Sequence, residues 1–216
     1  MHSTLEQLVR IPVDEVHLEG MLVLPPKAQG LVIFAHGSGS SRHSPRNNFV
    51  ARELHAQHLG TLLLDLLTAG EDLNYQTRFD IPLLTHRLLA ATRWALLDPA
   101  THQLPIAYFG ASTGAAAALQ AAAAIGTEVR AVVSRGGRPD LAGHHDLARV
   151  QAPTLLIVGG DDTQVIELNR EACALLHCEK ELSIVPGATH LFEEPGTLEE
   201  VARQAAAWFR RYLRGL

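Results

Sequence analysis

Two residues in this sequence have the types and the setting that nucleophilic chemistry needs. Ser112 is the centre of Gly110-Ala111-Ser112-Thr113-Gly114, which lies between a short apolar run (residues 106–109) and an alanine-rich stretch (residues 115–124). A strand, a sharp turn and a helix in this order expose a serine hydroxyl above the edge of a sheet. His190 lies in the loop after the last predicted strand, from which it can reach the same edge. Because a serine needs an adjacent base to act as a nucleophile, we predict Ser112 as the nucleophile and His190 as its base.

Such a base needs an acid that orients the imidazole and stabilises its protonated form. Two neighbouring carboxylates, Asp161 and Asp162, follow a predicted strand (residues 154–158) in a Gly-Gly-Asp-Asp turn. Either carboxylate could face His190, and either could instead cap the helix that follows. The residues alone therefore predict an acid in this turn and leave both aspartates open.

A glycine-rich loop is predicted at the same sheet edge as the serine. His36-Gly37-Ser38-Gly39 follows the third predicted strand directly. Glycines in such a loop let backbone N–H groups point at a developing oxyanion. We expect the N–H groups of Thr113 and Ser38 to form this oxyanion hole, with Gly37 as the alternative second donor. The competing interpretation is a flexible loop without a ligand, and we expect His36 to position the loop rather than act as a second base.

The pattern of elements that must position these residues is typical of a mostly parallel sheet with helices on both faces. The predicted strands are residues 13–17 and 21–24, joined in an antiparallel hairpin at Glu19-Gly20, and then 31–35, 61–66, 106–109, 131–134, 154–158 and 181–185. The predicted helices are residues 45 to about 60, 80–97, 115–124, 140–150, 164–176 and 198–213. Thr197 and Glu200 are predicted to form a capping box at the last helix. The expected fold class is α/β, with about eight strands.

The composition is that of one globular domain, residues 1–216, since the chain has 216 residues of which 47% are apolar. The net charge of -5 is spread over mixed charges, which argues against a nucleic-acid surface, and no apolar run reaches membrane-spanning length. The first 16 residues lack the apolar segment of a secretory signal, so we expect a cytoplasmic protein. Cys173 and Cys178 do not have zinc-ligand spacing. We expect no cofactor and no metal, and a monomer or a homodimer.

The order Ser112, Asp162, His190 along the chain is that of the α/β-hydrolases. Over nearly its full length the chain resembles the dienelactone hydrolase family of that fold. The resemblance is carried by the serine pentapeptide, the His-Gly-Ser-Gly-Ser-Ser run at 36–41, the Gly-Gly-Asp-Asp turn and the Ala-Thr-His-Leu-Phe loop at 188–192. The enzymes that name the family have a cysteine at the position of Ser112, so the serine favours ordinary ester chemistry over that of dienelactones.

The resemblance also implies an acid, a pocket and a function. In chains of this kind the acid stands three residues before an apolar residue of the next helix, here Val165, which favours Asp162. Related hydrolases often insert a helical lid where this chain has only a short segment between Arg135 and Pro153, so we expect an open site for small to medium acyl groups. The expected activity is hydrolysis of small-molecule carboxylic esters through an acyl-enzyme. The alternatives are hydrolysis of lactones or thioesters, acyl transfer to another acceptor, and a non-catalytic ligand-binding protein on this fold.

Four arginines are predicted to lie near the strand ends: Arg42, Arg46, Arg135 and Arg138. Arginine in such a place can bind a carboxylate or a phosphate through two parallel hydrogen bonds. Arg135 and Arg138 follow the sixth strand, next to the expected acyl pocket, and with Gly37 they are predicted to bind substrate. The residues leave open the alternative of structural salt bridges, for example with Asp65 or Asp80.

Overall fold

The computed structural model describes residues 3–214 and contains one eight-stranded sheet. The strands are β1 (Leu5–Val13), β2 (Val16–Leu24), β3 (Leu31–Ala35), β4 (Gly60–Leu64), β5 (Ile106–Ala111), β6 (Val129–Arg135), β7 (Thr154–Gly159) and β8 (Lys180–Val185). Their order in the sheet is β1-β2-β4-β3-β5-β6-β7-β8. β2 is antiparallel to both β1 and β4, and all other neighbours are parallel. The predicted α/β class and the antiparallel first hairpin are confirmed.

Helices cover both faces of this sheet. They are α1 (Pro45–Ala56), α2 (Ala69–Asp72), α3 (Ile81–Leu97), α4 (Thr113–Ile125), α5 (His144–Arg149), α6 (Thr163–Leu175) and α7 (Thr197–Leu213). Alternate residues of β3 enter two separate apolar cores, with Ile33 packed beneath α3 and α4, and Val32 and Phe34 beneath α1 and α7. Because such central strands are buried on both faces, they are apolar almost without interruption.

The first hairpin is longer than predicted, and its turn is elsewhere. The chain reverses at Asp14-Glu15, where Asp14 has a φ of 50°, and not at Glu19-Gly20. Gly20 lies inside β2 opposite Leu64. A Cβ atom at Gly20 would lie 3.1 Å from Cδ1 of Leu62, so this glycine allows close packing within the strand instead of making a turn.

Two helix starts also differ from expectation. The predicted capping box of Thr197 and Glu200 is wrong: Gly196 precedes α7, and the Glu200 carboxylate binds Arg203 instead of a backbone N–H group. A capping box does form where no element was predicted, between Thr68 and Glu71 at α2. In both cases the glutamate binds a group three residues away in the chain, a side chain in α7 and a backbone N–H in α2.

The elbow around the serine depends on a close approach of α4 to β3. Gly114 in the first turn of α4 lies directly over the end of β3, and a Cβ atom built there would be 2.1 Å from the Ala35 carbonyl oxygen. No real Cβ atom fits at that distance, so only glycine allows the helix to cross the sheet here. This crossing places the N-terminus of α4 at the same edge as the loop after β3.

We therefore predict that Gly114→Ala forces the helix and the strand apart and lowers the free energy of unfolding by at least about 1–3 kcal/mol. The matched control is Gly70→Ala in the exposed helix α2, where nothing lies within 4 Å of the new Cβ. This control should leave stability unchanged or slightly raised. Urea denaturation of both variants measures the difference, and equal stability of the two would contradict the close approach.

Candidate active site

Ser112 sits at a strained turn between β5 and α4. Its backbone angles are φ 51° and ψ -122°, in a region that residues with a Cβ atom seldom adopt. Three backbone hydrogen bonds hold it there: its N–H donates to the Arg135 carbonyl (3.3 Å), and its carbonyl accepts from the N–H groups of Ala115 (3.1 Å) and Arg138 (3.0 Å). Such strain persists only where surrounding contacts fix it, and it is found preferentially at functional sites.

His190 and Asp162 are in direct contact. The distance between His190 Nδ1 and Asp162 Oδ2 is 2.8 Å. A carboxylate at this nitrogen favours the tautomer in which Nδ1 carries the proton, which leaves Nε2 free to accept one. Asp162 precedes α6 but makes no capping hydrogen bond, and Asp161 is exposed. The structure thus brings Asp162, and not Asp161, to the histidine.

Ser112 and His190 lie on the two sides of the end of β6. The carbonyl of Arg135, the last residue of β6, accepts the Ser112 N–H. The next residue, Gly136, has a φ of 52°, and a Cβ atom there would be 3.2 Å from the His190 carbonyl oxygen and 3.5 Å from its Nδ1. The two residues that the sequence predicts as nucleophile and base therefore share one small region at the carboxyl edge of the sheet.

The glycine loop after β3 is packed against the serine. A Cβ atom at Gly37 would lie 3.1 Å from Cβ of Ser112. Inside the turn, the Gly37 carbonyl accepts hydrogen bonds from the Ser40 N–H (3.1 Å) and from His36 Nδ1 (2.9 Å). Since C=O and N–H point in opposite directions across a trans peptide, the Ser38 N–H is directed out of the turn. Thr113 is the first residue of α4, so its N–H has no partner within the helix. These positions are compatible with the expected role of the Thr113 and Ser38 N–H groups as oxyanion donors.

Both ring nitrogens of His36 make hydrogen bonds to the backbone. Its Nε2 accepts the Leu66 N–H (3.0 Å), so the ring proton is on Nδ1 and is donated to the Gly37 carbonyl. Burial lowers the pKa of His36 from its ordinary value, which keeps the ring neutral. With both nitrogens engaged, His36 ties the glycine loop to the segment after β4 and has no free nitrogen to act as a base.

The four arginines have different partners. Arg42 binds Asp65, one of the two partners suggested by the sequence, together with Glu19. Arg138 makes two hydrogen bonds with Asp140, of 2.9 and 2.8 Å. Arg46 lies 3.9 Å from Glu193, and Arg135 is buried against Asn47 with a bond of 3.3 Å. Arg42 and Arg138 are therefore neutralised by carboxylates, whereas no carboxylate of residues 3–214 binds Arg135.

No element was predicted for residues 68–79 between β4 and α3, and this segment borders the glycine loop. A Cβ atom at Gly39 would lie 3.4 Å from Arg78 Nη1. Tyr75 and Phe79 stack with their ring centroids 5.0 Å apart, and both are exposed. A cavity of about 380 Å³ lies between this segment, the glycine loop and β2. The capping box at Thr68 is the signal that could have identified this element.

The fold and this site define an α/β-hydrolase, and comparison with known proteins gives the family. Residues 74–214 match the model of the dienelactone hydrolase family. A crystal structure of dienelactone hydrolase from Anabaena variabilis is 54% identical, covers 99% of this chain and 100% of that chain, and superposes with a TM-score of 0.95. The chain belongs to the dienelactone hydrolase family, as its resemblance predicted.

The chain is also similar to another solved structure and to a curated protein sequence. Est1E from Butyrivibrio proteoclasticus has a TM-score of 0.81 over 94% of this chain and 98% of its own, with 17% identity, which shows the shared fold. A Mycobacterium tuberculosis protein with the name "Putative phosphoribosyl transferase" is 55% identical over 210 residues, which are 97% of this chain and 47% of that protein. The chain thus spans about half the length of this curated relative.

Within residues 3–214, no helix is both long and apolar enough to cross a membrane.

The buried neutral His36 predicts a pH dependence of stability. Its pKa in the folded protein is below the ordinary value of 6.5, so protonation favours the unfolded chain. His36 therefore contributes full stability above about pH 6.5, and this contribution is lost as the pH falls toward its folded pKa. The free energy of unfolding of the parent should therefore fall between pH 7.5 and 5. We expect this fall to be smaller in His36→Gln, by up to about 1.4 kcal/mol per pH unit.

Denaturant unfolding at a series of pH values measures this slope, with His43→Gln in the same loop as the control, since His43 is exposed. A His36→Gln variant with the same slope as the parent would show that His36 is not the group that titrates.

Proposed function

We propose that this hydrolase cleaves small to medium carboxylic esters through an acyl-enzyme. The observation that carries the proposal is the hydrogen bond between His190 and Asp162 at the same sheet edge as the strained Ser112. The chain order of these residues is that of α/β-hydrolases. Membership of the dienelactone hydrolase family supports hydrolysis as the reaction class.

In the first half of the reaction, Ser112 Oγ attacks the ester carbonyl while His190 Nε2 takes its proton. The Asp162 carboxylate stabilises the imidazolium that forms. The N–H groups of Thr113 and Ser38 hold the negative oxygen of the tetrahedral intermediate, which is the group whose charge grows most on the way to the transition state. When the intermediate collapses, the alcohol leaves with the proton from His190, and the acyl group remains on the serine.

In the second half, water replaces the alcohol. His190 removes a proton from the water as it attacks the acyl-enzyme, and returns the proton to Ser112 Oγ as the acid is released. The same groups would hydrolyse a lactone or a thioester, since only the leaving group differs. The serine in place of the family's cysteine favours esters.

Access to the site supports small and medium substrates. The segment between β6 and β7 holds a 3₁₀ turn (Pro139–Ala142) and the six-residue helix α5, and neither is long enough to close over Ser112. His190 keeps 41% of its side chain exposed. The described region around the serine is therefore open, which fits esters that need little apolar enclosure.

The name of the Mycobacterium tuberculosis relative describes a protein about twice as long as the matched region. The groups proposed for catalysis in this chain are an alcohol, an imidazole and a carboxylate. That combination serves acyl transfer to water.

Substitution of the nucleophile tests the proposal. We expect Ser112→Ala to lower kcat for p-nitrophenyl acetate by at least about a thousandfold, since the alanine cannot form the acyl-enzyme. Ser183→Ala on the outer strand β8 is the control and should keep the parent rate. Steady-state kinetics at neutral pH measure both variants, and full activity in Ser112→Ala would contradict the mechanism.

The two neighbouring aspartates offer a matched pair. We expect Asp162→Asn to lower kcat by roughly 10³- to 10⁴-fold, because an amide stabilises the wrong tautomer of His190 and not its protonated form. Asp161→Asn changes the same group one residue away on an exposed side chain and should retain most of the activity. The reverse outcome, with Asp161→Asn as the inactive variant, would reassign the acid.

A further inference from the structure

Arg135, at the end of β6, is a buried cation without a carboxylate partner among the described residues. Only 6% of the residue is exposed. Its one side-chain hydrogen bond runs from Nη2 to the neutral Asn47 oxygen at 3.3 Å, and its buried Nε has no partner. Burial, with a smaller contribution from the nearby cation Arg46, lowers the pKa of Arg135 to about 10. At neutral pH the side chain is therefore still charged.

A buried guanidinium without a counterion is costly, and proteins normally pair such a group with a carboxylate. This chain has 23 acidic residues and a net charge of -5, so partners are plentiful. Arg138, only three residues away, binds Asp140 in that way. Among the described residues no carboxylate binds Arg135, so its charge is left uncompensated by them.

Arg46 makes the local charge imbalance larger. It is the second residue of α1, next to Asn47, and its Nε is also buried without a partner. The nearest carboxylate, Glu193, is 3.9 Å away with 67% of its side chain exposed, and it neutralises Arg46 only weakly. Two neighbouring guanidinium groups match a dianion better than a single negative charge.

The position of the two arginines connects them with the proposed site. The Arg135 carbonyl accepts the Ser112 N–H, and Glu193 lies three residues after His190 in the same loop. Arg135 is thus joined through its backbone to the serine elbow, and Arg46 through Glu193 to the loop that carries His190.

We propose that Arg135 and Arg46 form a subsite for a phosphate dianion carried by the substrate. This proposal rests on the proposed function and deepens it, since it makes the substrate an ester that also carries a phosphate monoester group. The chemistry is the planar, two-pronged recognition of phosphate oxygens by guanidinium groups. The subsite binds without any bond being made or broken.

The first test measures binding without turnover. The melting temperature of the protein is recorded in inorganic phosphate, acetate and chloride at equal ionic strength and pH 7.5. We expect phosphate at about 100 times its Kd to raise the parent's Tm by roughly 5 °C, and acetate to give a much smaller shift. Arg135→Met should lose the phosphate shift. Arg130→Met, an exposed arginine on the same strand, should keep it.

Three results of this test would overturn the subsite: no phosphate shift in the parent, an equal shift in Arg135→Met, or an acetate shift as large as that of phosphate. If Arg135→Met does not fold, Arg46→Gln takes its place, because Arg46 is partly exposed and its loss should weaken the phosphate shift. An undiminished shift in Arg46→Gln would equally contradict the proposal.

The second test places the anion relative to the reaction. Inorganic phosphate should inhibit competitively the hydrolysis of an acetate ester that also carries a phosphate monoester group, and non-competitive inhibition with this ester would contradict a subsite for a substrate group. The two proposals fail separately. Ser112→Ala should keep the phosphate shift in Tm, and a parent that binds phosphate but hydrolyses no ester would contradict the proposed function while leaving the anion site in place.

Discussion

The rest of the site depends on one constraint, the close crossing of α4 over the end of β3. Gly114 allows the crossing, because a Cβ atom there would lie 2.1 Å from the Ala35 carbonyl oxygen. The crossing makes the turn before α4 so sharp that Ser112 has a positive φ. Backbone hydrogen bonds to Arg135 and Arg138 hold that conformation. The serine is therefore presented by rigid backbone geometry, which fixes its position before any substrate is bound.

Around this elbow, polar side chains at the sheet edge divide into those that hold loops and those that remain free to react. His36 uses both ring nitrogens to hold the glycine loop, and Arg138 is occupied by Asp140. His190 uses only Nδ1, for Asp162, and its Nε2 stays available. Arg135 is the exception, since it is buried and no carboxylate in the described part of the chain binds it. The residues with an unused atom are the ones that can act on a ligand.

The fold class and the sheet could be predicted from sequence, because apolar runs and the glycine-flanked serine are local signals. The residues alone left Asp161 and Asp162 open, and only the family resemblance favoured Asp162, which contacts His190. The turn of the first hairpin could not be predicted. Gly20 serves close packing between β2 and β4 and not a turn, and this packing exists only in the folded sheet. The Thr197 capping box failed because Glu200 has a nearer partner in Arg203. The burial of Arg135 was equally invisible, because it depends on α1, a helix about 90 residues earlier in the chain.

The most direct test of the account is covalent trapping of the nucleophile. The protein is incubated with a fluorophosphonate, and the adduct is measured by intact mass spectrometry and mapped to a peptide. We expect a single adduct on Ser112, and we expect it to form much more slowly in His190→Ala. No adduct in the parent, or an adduct on another serine, would contradict the assignment of Ser112 as an activated nucleophile.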